Sequence, residues 1–352
     1  MKTLNIAVTG INPVDSPGPG IPVIRSFRES KLNIRPIGLS YDVLEPGNFM
    51  KDLLSCAYII PYPSAGAGAL LERILYIHSQ EKLDMIFPTL DSELDNFIEI
   101  QSALEAKGIR TFLPEKKQLH LRDKSLLSEL QDEDVNIPKT LVVNSVSTIY
   151  EAGDKIRFPV FVKGLFYEAF YARGIEEAAG YFYKVAAKWG LPIILQEAIQ
   201  GEECNLAGAS KDGRLFGAVT MKKMFLTDKG KAWAGVTIKN DKVLQISKKI
   251  ISKIGWNSGF ELEYIVEKGS GKIYLLEMNP RLPAWIYLAT ASGVNLPELI
   301  VKAAMGESVG ESIDYEPGKI FVRHSWDEIV PMKYIESLSV KGENKFDEGK
   351  TE

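Results

Sequence analysis

The sequence predicts an α/β fold that opens with a doubly wound parallel sheet, and three observations predict it. Over about the first 115 residues, short apolar runs alternate with stretches of helical spacing. From about residue 116 the texture changes to apolar strands that break at acidic or Gly-bearing turns. In the C-terminal third, GFELEYIVEKGSGKIYLLEMNPRL (259–282) carries carboxylates where core strands carry apolar groups.

Taken in order, LNIAVTG, IRPIGLSY, AYIIP, DMIFPTL and GIRTFLP read as strands, with helices over 66–82 and 92–107 between them. Ligands of such a sheet sit at the carboxyl ends of its strands. Two segments fall there: GINPVDSPGPG (10–20) and PTLDSELD (88–95). The first leads into a helix starting near Ile21, and backbone N–H groups at a helix N-terminus suit an anion, although its prolines remove donors. It is either a rigid strand-to-helix turn or a substrate loop using Asn12, Asp15 and Arg25. In the second, Asp91 is either an N-cap or a substrate contact.

Further on, LRDKSLLSELQ reads as a short helix, NIPKTLVV follows, and FPVFVKG (158–164) ends a strand on Lys163, a residue that by itself would snorkel to solvent. After a helix over 175–189 comes PIILQEAIQGEECNLAGAS, a strand that breaks at an acidic turn and resumes. RLFGAVTMKKMF (214–225) then leads to LTDKGKAWAG, which has the look of a mobile lid. The last stretch, 336–352, is polar and reads as a frayed tail.

In 259–282 two strands flank KGSGK (268–272), which suits a three-residue hairpin turn. A turn centred on Ser270 pairs residues whose numbers add to 540: Glu263 faces Glu277, and Glu261 faces Asn279. Residues i and i+2 share a face, so all four groups converge. Like charges directly opposed destabilise a sheet, so something positive belongs between them. Oxygen-only ligands suit Mg²⁺, which bridges carboxylates to phosphates. The alternative is the solvated face of an edge hairpin, against which the sharp turn of EMNPR into the apolar PAWIYLATASG argues.

Composition narrows the classes. With 352 residues, 45% of them hydrophobic and 25% charged, the chain buries a sizeable core in two or three lobes. No apolar run approaches the roughly 18–20 residues that cross a bilayer, and MKTLNIAVTG lacks a signal-peptide layout, so a cytoplasmic protein without a membrane partner is expected. Cys56 and Cys204 each stand alone, supporting neither a disulfide framework nor a zinc site. A net charge of -4 argues against a nucleic-acid partner. His78, His120 and His324 are scattered; His78 reads as structural, and His324, beside Trp326, is a weak candidate for the site.

A divalent-metal site, a lysine at a strand end and an acidic turn after an apolar strand together suggest nucleoside triphosphate binding. Their order resembles the ATP-grasp superfamily, in particular the carbamoyl-phosphate-synthetase-like carboxylate-amine ligases. The resemblance covers roughly 1–330 and rests on LLEMNPR, with a carboxylate 14 positions upstream of Glu277, together with FPVFVKG and LQEAIQGEE. It implies a Rossmann-like pre-ATP-grasp domain over 1–115, a small lobe over 116–195, a large lobe over 196–335, and the tail. It also implies that Lys124 and Lys163 hold ATP phosphates, that Gln196, Glu197 and Ile199 meet adenine through backbone groups, and that Glu203 binds ribose. Glu263, Glu277 and Asn279 would carry Mg²⁺ or Mn²⁺, and Arg281 would neutralise the transferring phosphate or the substrate carboxylate. Lys222, Lys223 and Lys231 are further phosphate candidates among which the sequence does not choose. One departure is GLFYEAFYARG, whose Phe166, Tyr167 and Phe170 replace the Gly-rich phosphate loop of many relatives; another is Glu263, where some relatives have glutamine.

The expected activity is an ATP-dependent ligase joining a small-molecule carboxylate to an amine, an amino acid or peptide, with a homodimer compatible with the resemblance. A small-molecule kinase of the same fold and a silent nucleotide-binding module are the rival readings. The intact set of Lys124, Lys163, Glu277, Asn279 and Arg281 counts against the silent module.

Overall fold

The structure, a computed structural model, describes residues 2–14, 17–123, 126–164, 169–226 and 232–346. Asp15, Lys124, Phe166, Tyr167 and Lys231 lie outside the described residues, as do the tip of the expected lid and residues 347–352.

The first half of the fold follows the apolar runs. Strand β1 (Leu4–Val8) leads to helix α1 (Gly20–Arg28), then come β2 (Ile34–Ser40), β3 (Cys56–Ile59), α2 (Ala67–Glu81), β4 (Met85–Phe87) and α3 (Leu94–Glu105). Strand β1 pairs in parallel with both β2 and β4, and β2 with β3, so the winding reverses at β1. That reversal is the doubly wound pattern, and it opens a crevice at the carboxyl ends of β1 and β4. GIRTFLP does not join as a strand; it meets the sheet at an isolated bridge between Met85 and Arg110.

LRDKSLLSELQ, expected as a helix, instead contributes to two 3-10 turns, Lys116–Arg122 and Leu127–Leu130. Beyond them β5 (Thr140–Val143), α4 (Val146–Ala152), β6 (Val160–Lys163), β7 (Ala169–Ala172), α5 (Ile175–Trp189) and β8 (Ile193–Glu197) build an antiparallel sheet in the order β5-β8-β6-β7. One face of it buries Val160, Val162, Ile193 and Leu195 with Ile149 of α4 and Phe182 and Val185 of α5. The other face carries Ile194 and Gln196, both buried, and Lys163.

The largest sheet comprises β9 (Gly201–Lys211), β10 (Arg214–Leu226), β11 (Ala232–Ile238), β12 (Ser258–Glu267), β13 (Ile273–Asn279) and β14 (Ile320–Val322), with α6 (Asp241–Ile254), α7 (Ile286–Ala291) and α8 (Leu296–Ala304) between them. Its order is β13-β12-β9-β10-β11-β14. Strand alternation divides it cleanly. Cys204, Leu206, Leu262 and Tyr264 face a core shared with α6, whereas Ala207, Ala209, Val219 and Met221 face a core shared with α1, α7, α8 and the first sheet. Polar links fasten the two halves: Thr290 donates to Ser26 Oγ at 2.7 Å, Asn295 Nδ2 to the Ser26 carbonyl at 2.7 Å, and the Lys31 amide to Glu298 at 3.1 Å.

The tail corrects the sequence reading. Residues expected to fray form α9 (Met332–Lys341) and β15 (Glu343–Lys345), and β15 pairs antiparallel with β3, giving the first sheet a fifth strand. Arg73 secures the junction by donating to the carbonyls of Ile59 at 2.8 Å and Gly342 at 2.6 Å. Among the described residues no helix is long and apolar enough to cross a membrane.

Candidate functional site

On the face of the large sheet that buries Ala207 and Met221, the strands turn polar toward one end. The register there is the one the sequence predicts: Glu263 opposes Glu277 and Glu261 opposes Asn279. On the other side of β12, Glu263 opposes Asn205 of β9, so Glu277, Glu263 and Asn205 form one row across three strands. Asn205 is a residue the sequence reading passed over. Its signal was present in GEECNLAGAS, where Glu203 and Asn205 share a face by period-2 alternation.

Glu261 is 4% exposed and is met by three N–H donors. Asn205 Nδ2 and Trp285 Nε1 each donate to Oε1 at 2.7 Å, and Asn279 Nδ2 donates to Oε2 at 3.1 Å. Burial first, and then the charge of Glu263, lift its carboxyl above the usual carboxylate range. Asn279 Nδ2 also donates to Glu263 Oε1 at 3.2 Å. Trp285, a second residue missed in sequence, sits at the start of α7, where an indole N–H facing a carboxylate left no trace in spacing.

A positive charge stands against one of the two opposed carboxylates, Glu263, and links it to Glu203. Lys223 Nζ donates to Glu203 Oε2 and to Glu263 Oε2, each at 2.8 Å, with its side chain only 10% exposed. Burial works to lower the ammonium's pKa, but Glu263 and Glu203 outweigh it and hold the group above the usual lysine range. Lys222, one residue earlier, projects from the opposite face of β10 and pairs with Glu202 at 2.6 Å near solvent. Strand alternation thus separates the two lysines that the sequence left level. Arg281, just past β13, donates through Nε to Asp91 Oδ2 at 2.8 Å. Asp91 is therefore not an N-cap: it lies in the 3-10 turn Asp91–Glu93, and the turn's capping role falls to Glu93, which accepts from the amides of Thr89 and Leu90.

In the smaller antiparallel sheet, Lys163 lies opposite to the face covered by α4 and α5. Its Nζ donates to Gln196 Oε1 at 2.7 Å, and Gln196 in turn donates to Thr140 at 3.2 Å. Gln196 is 1% exposed. Glu197, expected at the adenine through its backbone, gives its N–H to the Lys139 carbonyl at 2.9 Å, and its side chain accepts from the Arg157 amide at 3.2 Å. Ile199 follows, half-buried, in the connection to β9. Phe170 stacks on Tyr181 with ring centroids 5.0 Å apart, on the α5 side.

In the N-terminal loop the described residues bond to one another. The Gly18 amide donates to the Asn12 carbonyl at 2.9 Å and the Gly20 amide to the Gly10 carbonyl at 3.0 Å, so two donors of the expected cradle are spent inside the loop. A Cβ on Gly20 would stand 2.1 Å from the Thr9 carbonyl oxygen, which is why glycine opens α1. Asn12 keeps a buried Oδ1 without a hydrogen-bond partner. Arg25 is drawn away: its guanidinium lies 3.8 Å over the Tyr287 ring, where it staples α1 to α7. His324 stays exposed, edge-on to Trp326 at 4.8 Å between centroids.

Among the described residues no group of three or more His, Cys, Asp or Glu side chains forms a ready-made metal cage. The donor set nevertheless fits a hard cation held jointly with phosphates, which needs only one or two protein carboxylates. Two carboxylates face each other, an ammonium already stands against one of them, and Asn205 Oδ1 is buried beside them without a hydrogen-bond partner.

Comparison with known proteins bears on the fold. Residues 191–324 match the family model described as "ATP-grasp in the biosynthetic pathway with Ter operon". The chain superimposes on the biotin carboxylase domain of Hydrogenobacter thermophilus 2-oxoglutarate carboxylase, a dimer solved with MgADP, ADP and bicarbonate, with a TM-score of 0.69 and 18% identity over 91% of this chain and 74% of that one. L-amino acid ligase from Bacillus licheniformis gives 0.65 at 15% identity over 87% and 76%. N5-carboxyaminoimidazole synthetase from Staphylococcus aureus gives 0.65 at 14% identity over 96% and 85%.

Proposed function

This chain is an ATP-grasp-fold protein, and from that premise we propose that it is an ATP- and Mg²⁺-dependent ligase that activates a carboxylate as an acyl phosphate and joins it to the amine of an amino acid or peptide. The observation that carries the reading is the opposed pair Glu263 and Glu277, with Asn279 and Lys223 on the same face and Arg281 just beyond β13. A sheet tolerates such a pair only where positive charge compensates it.

Glu263, Glu277 and Asn279 are the residues that would hold Mg²⁺, or Mn²⁺ in its place. Such an ion, when bound, neutralises phosphate oxygens. Lys163, held by Gln196, and Lys124 would bind the phosphates; Gln196, Glu197 and Ile199 would border adenine, with Glu203 toward the ribose. Since the Glu197 N–H is already engaged, adenine would be met by the remaining backbone groups of 196–199. Lys223 and Arg281 would stabilise charge on the transferring phosphoryl group. The substrate carboxylate attacks the γ-phosphorus and ADP leaves; the amine nitrogen then attacks the acyl carbon, phosphate leaves, and the nitrogen gives up a proton. The protein's part is positioning and charge neutralisation, so no nucleophilic side chain is required. Asn12, at the carboxyl end of the first sheet, is the residue of the N-terminal loop that remains for an organic substrate, with Asp15 beside it in sequence. A dimer, as in the Hydrogenobacter domain, is compatible with this chemistry.

Hydroxylamine tests the reading without knowledge of the amine, because it traps an acyl phosphate as a hydroxamate. A panel of amino acids and other small carboxylates with MgATP should give hydroxamate, ADP and phosphate in equal amounts for at least one carboxylate. ADP formed with a stable phosphorylated product and no hydroxamate would indicate a kinase and overturn the ligase reading.

A further inference from the structure

We propose that Glu261 is a positioning residue that fixes the orientation of the Asn279 and Asn205 amides, so that Asn279 turns its oxygen and not its nitrogen toward the cation. The inference rests on the metal-site reading above and goes beyond it, since Glu261 is not among the ligands. A primary amide presents an acceptor and two donors that differ little in shape, and only its neighbours decide which end faces a ligand. Here both donors of Asn279 Nδ2 are occupied by carboxylates, Glu261 Oε2 at 3.1 Å and Glu263 Oε1 at 3.2 Å. Asn205 Nδ2 is turned to Glu261 Oε1 at 2.7 Å, which leaves its oxygen without a partner in a buried position.

Glu261 is itself anchored. Trp285 Nε1 donates to Oε1 at 2.7 Å, and the side chain is 4% exposed, so with three N–H groups around it the carboxylate has little room to rotate. Groups that hold a metal ligand through its second polar atom typically change metal affinity by roughly 10–100-fold. Glu261 would act in that way on an amide where the familiar cases act on histidine.

The test is calorimetric binding of ADP with and without Mn²⁺, which reads the metal-dependent gain in affinity independently of turnover. Glu261→Gln replaces one acceptor oxygen by an NH₂ that confronts Asn279 Nδ2, so Asn279 should flip. Metal-free ADP affinity should stay at the parent value while the metal-dependent gain falls about tenfold. Adding Asn279→Asp should restore most of the gain in the Glu261→Gln background, because a carboxylate accepts from the new NH₂ and still offers an oxygen. In the parent background Asn279→Asp should lower the gain, by setting a carboxylate against Glu261. This reversal of sign is not expected if Glu261 is a metal ligand or only a packing group. Trp285→Phe, which loosens Glu261 without touching either amide, should give a smaller loss and supplies a second variant should Glu261→Gln misfold. A Glu261→Gln protein that keeps the parent's gain, or a double variant no better than the single one, would overturn the proposal alone. A parent without any metal-dependent gain would overturn the metal-site reading together with it.

Discussion

Arg281 Nε donates to Asp91 Oδ2 at 2.8 Å across 190 residues of sequence, tying the end of the large sheet's hairpin to the turn that follows β4. The pair brings the crevice of the parallel sheet, where this fold class binds ligands, next to the polar row of the large sheet. Asp91→Asn and Arg281→Gln in a double-mutant cycle should show a coupling of about 1–2 kcal/mol, between the values typical of exposed and of well-shielded charged hydrogen bonds. Asp91→Asn should also lower turnover while leaving nucleotide affinity close to the parent. Additive single effects, with no coupling, would mean the pair is incidental.

The neighbouring lysines of β10 should behave differently. Lys222 meets Glu202 with side chains 36% and 69% exposed, a setting in which ion pairs contribute about 0–1 kcal/mol. Lys222→Ala should therefore melt and turn over much as the parent does. Lys223→Ala leaves Glu203 and Glu263 facing each other without their shared ammonium, and should cost about 2–3 kcal/mol and most of the activity. Equal effects from the two substitutions would contradict the side assignment.

Glu277→Gln separates charge from shape. Without metal, the substitution relieves repulsion with Glu263, so the melting temperature should match or exceed the parent's. With MgATP, the stabilisation that ligand confers on the parent should largely vanish, and turnover with it. A variant that keeps both would remove Glu277 from the site.

A pH effect is expected from Glu93, 1% exposed, which accepts from Thr9, Tyr41 and the amides of Thr89 and Leu90. Burial raises its carboxyl above the ordinary value of 4.5, against those hydrogen bonds. A carboxyl whose pKa is higher folded than unfolded favours the native state when protonated. That contribution is complete below the unfolded value of 4.5 and is lost as pH rises through the higher folded value. Glu93→Gln cannot ionise, so its stability relative to the parent should grow with pH above about 4.5. Denaturant melts of both proteins at several pH values will measure it; a difference that does not change with pH would show that Glu93 folds with an ordinary pKa.

The hairpin shows how much of the site was legible, and how. A three-residue turn centred on Ser270 requires paired numbers to add to 540 throughout, and at the site they do: Glu263 with Glu277, Glu261 with Asn279. Near the turn the sum is 539, as in Val266 with Ile273, and the Glu267 amide closes the loop on the Lys272 carbonyl. A bulge at Leu276 makes up the difference. The loop holds four residues where the sequence predicts three, and the bulge returns the register to 540 where the carboxylates lie. Alternating charged and apolar residues made the face legible, whereas a bulged leucine among leucines carries no signal. The same reasoning explains the tail. ENK has no apolar alternation because β15 adds to an edge through backbone groups, so composition suggested fraying. Arg281 and Asp91, by contrast, are joined by no local pattern, and only the folded chain brings them together.

Strand β15 also sets a schedule for synthesis. Glu343 pairs with Tyr58, 285 residues after it in sequence (343 − 58), so the nascent first sheet lacks its border for the time that length takes to translate, roughly 15 to 60 seconds. During that interval the open amides and carbonyls of β3 are free to be matched by a strand from a neighbouring polysome. Whatever shields them on the ribosome, whether a chaperone or a slow commitment of β3 itself, becomes redundant once the last described residues emerge and the chain seals its own beginning.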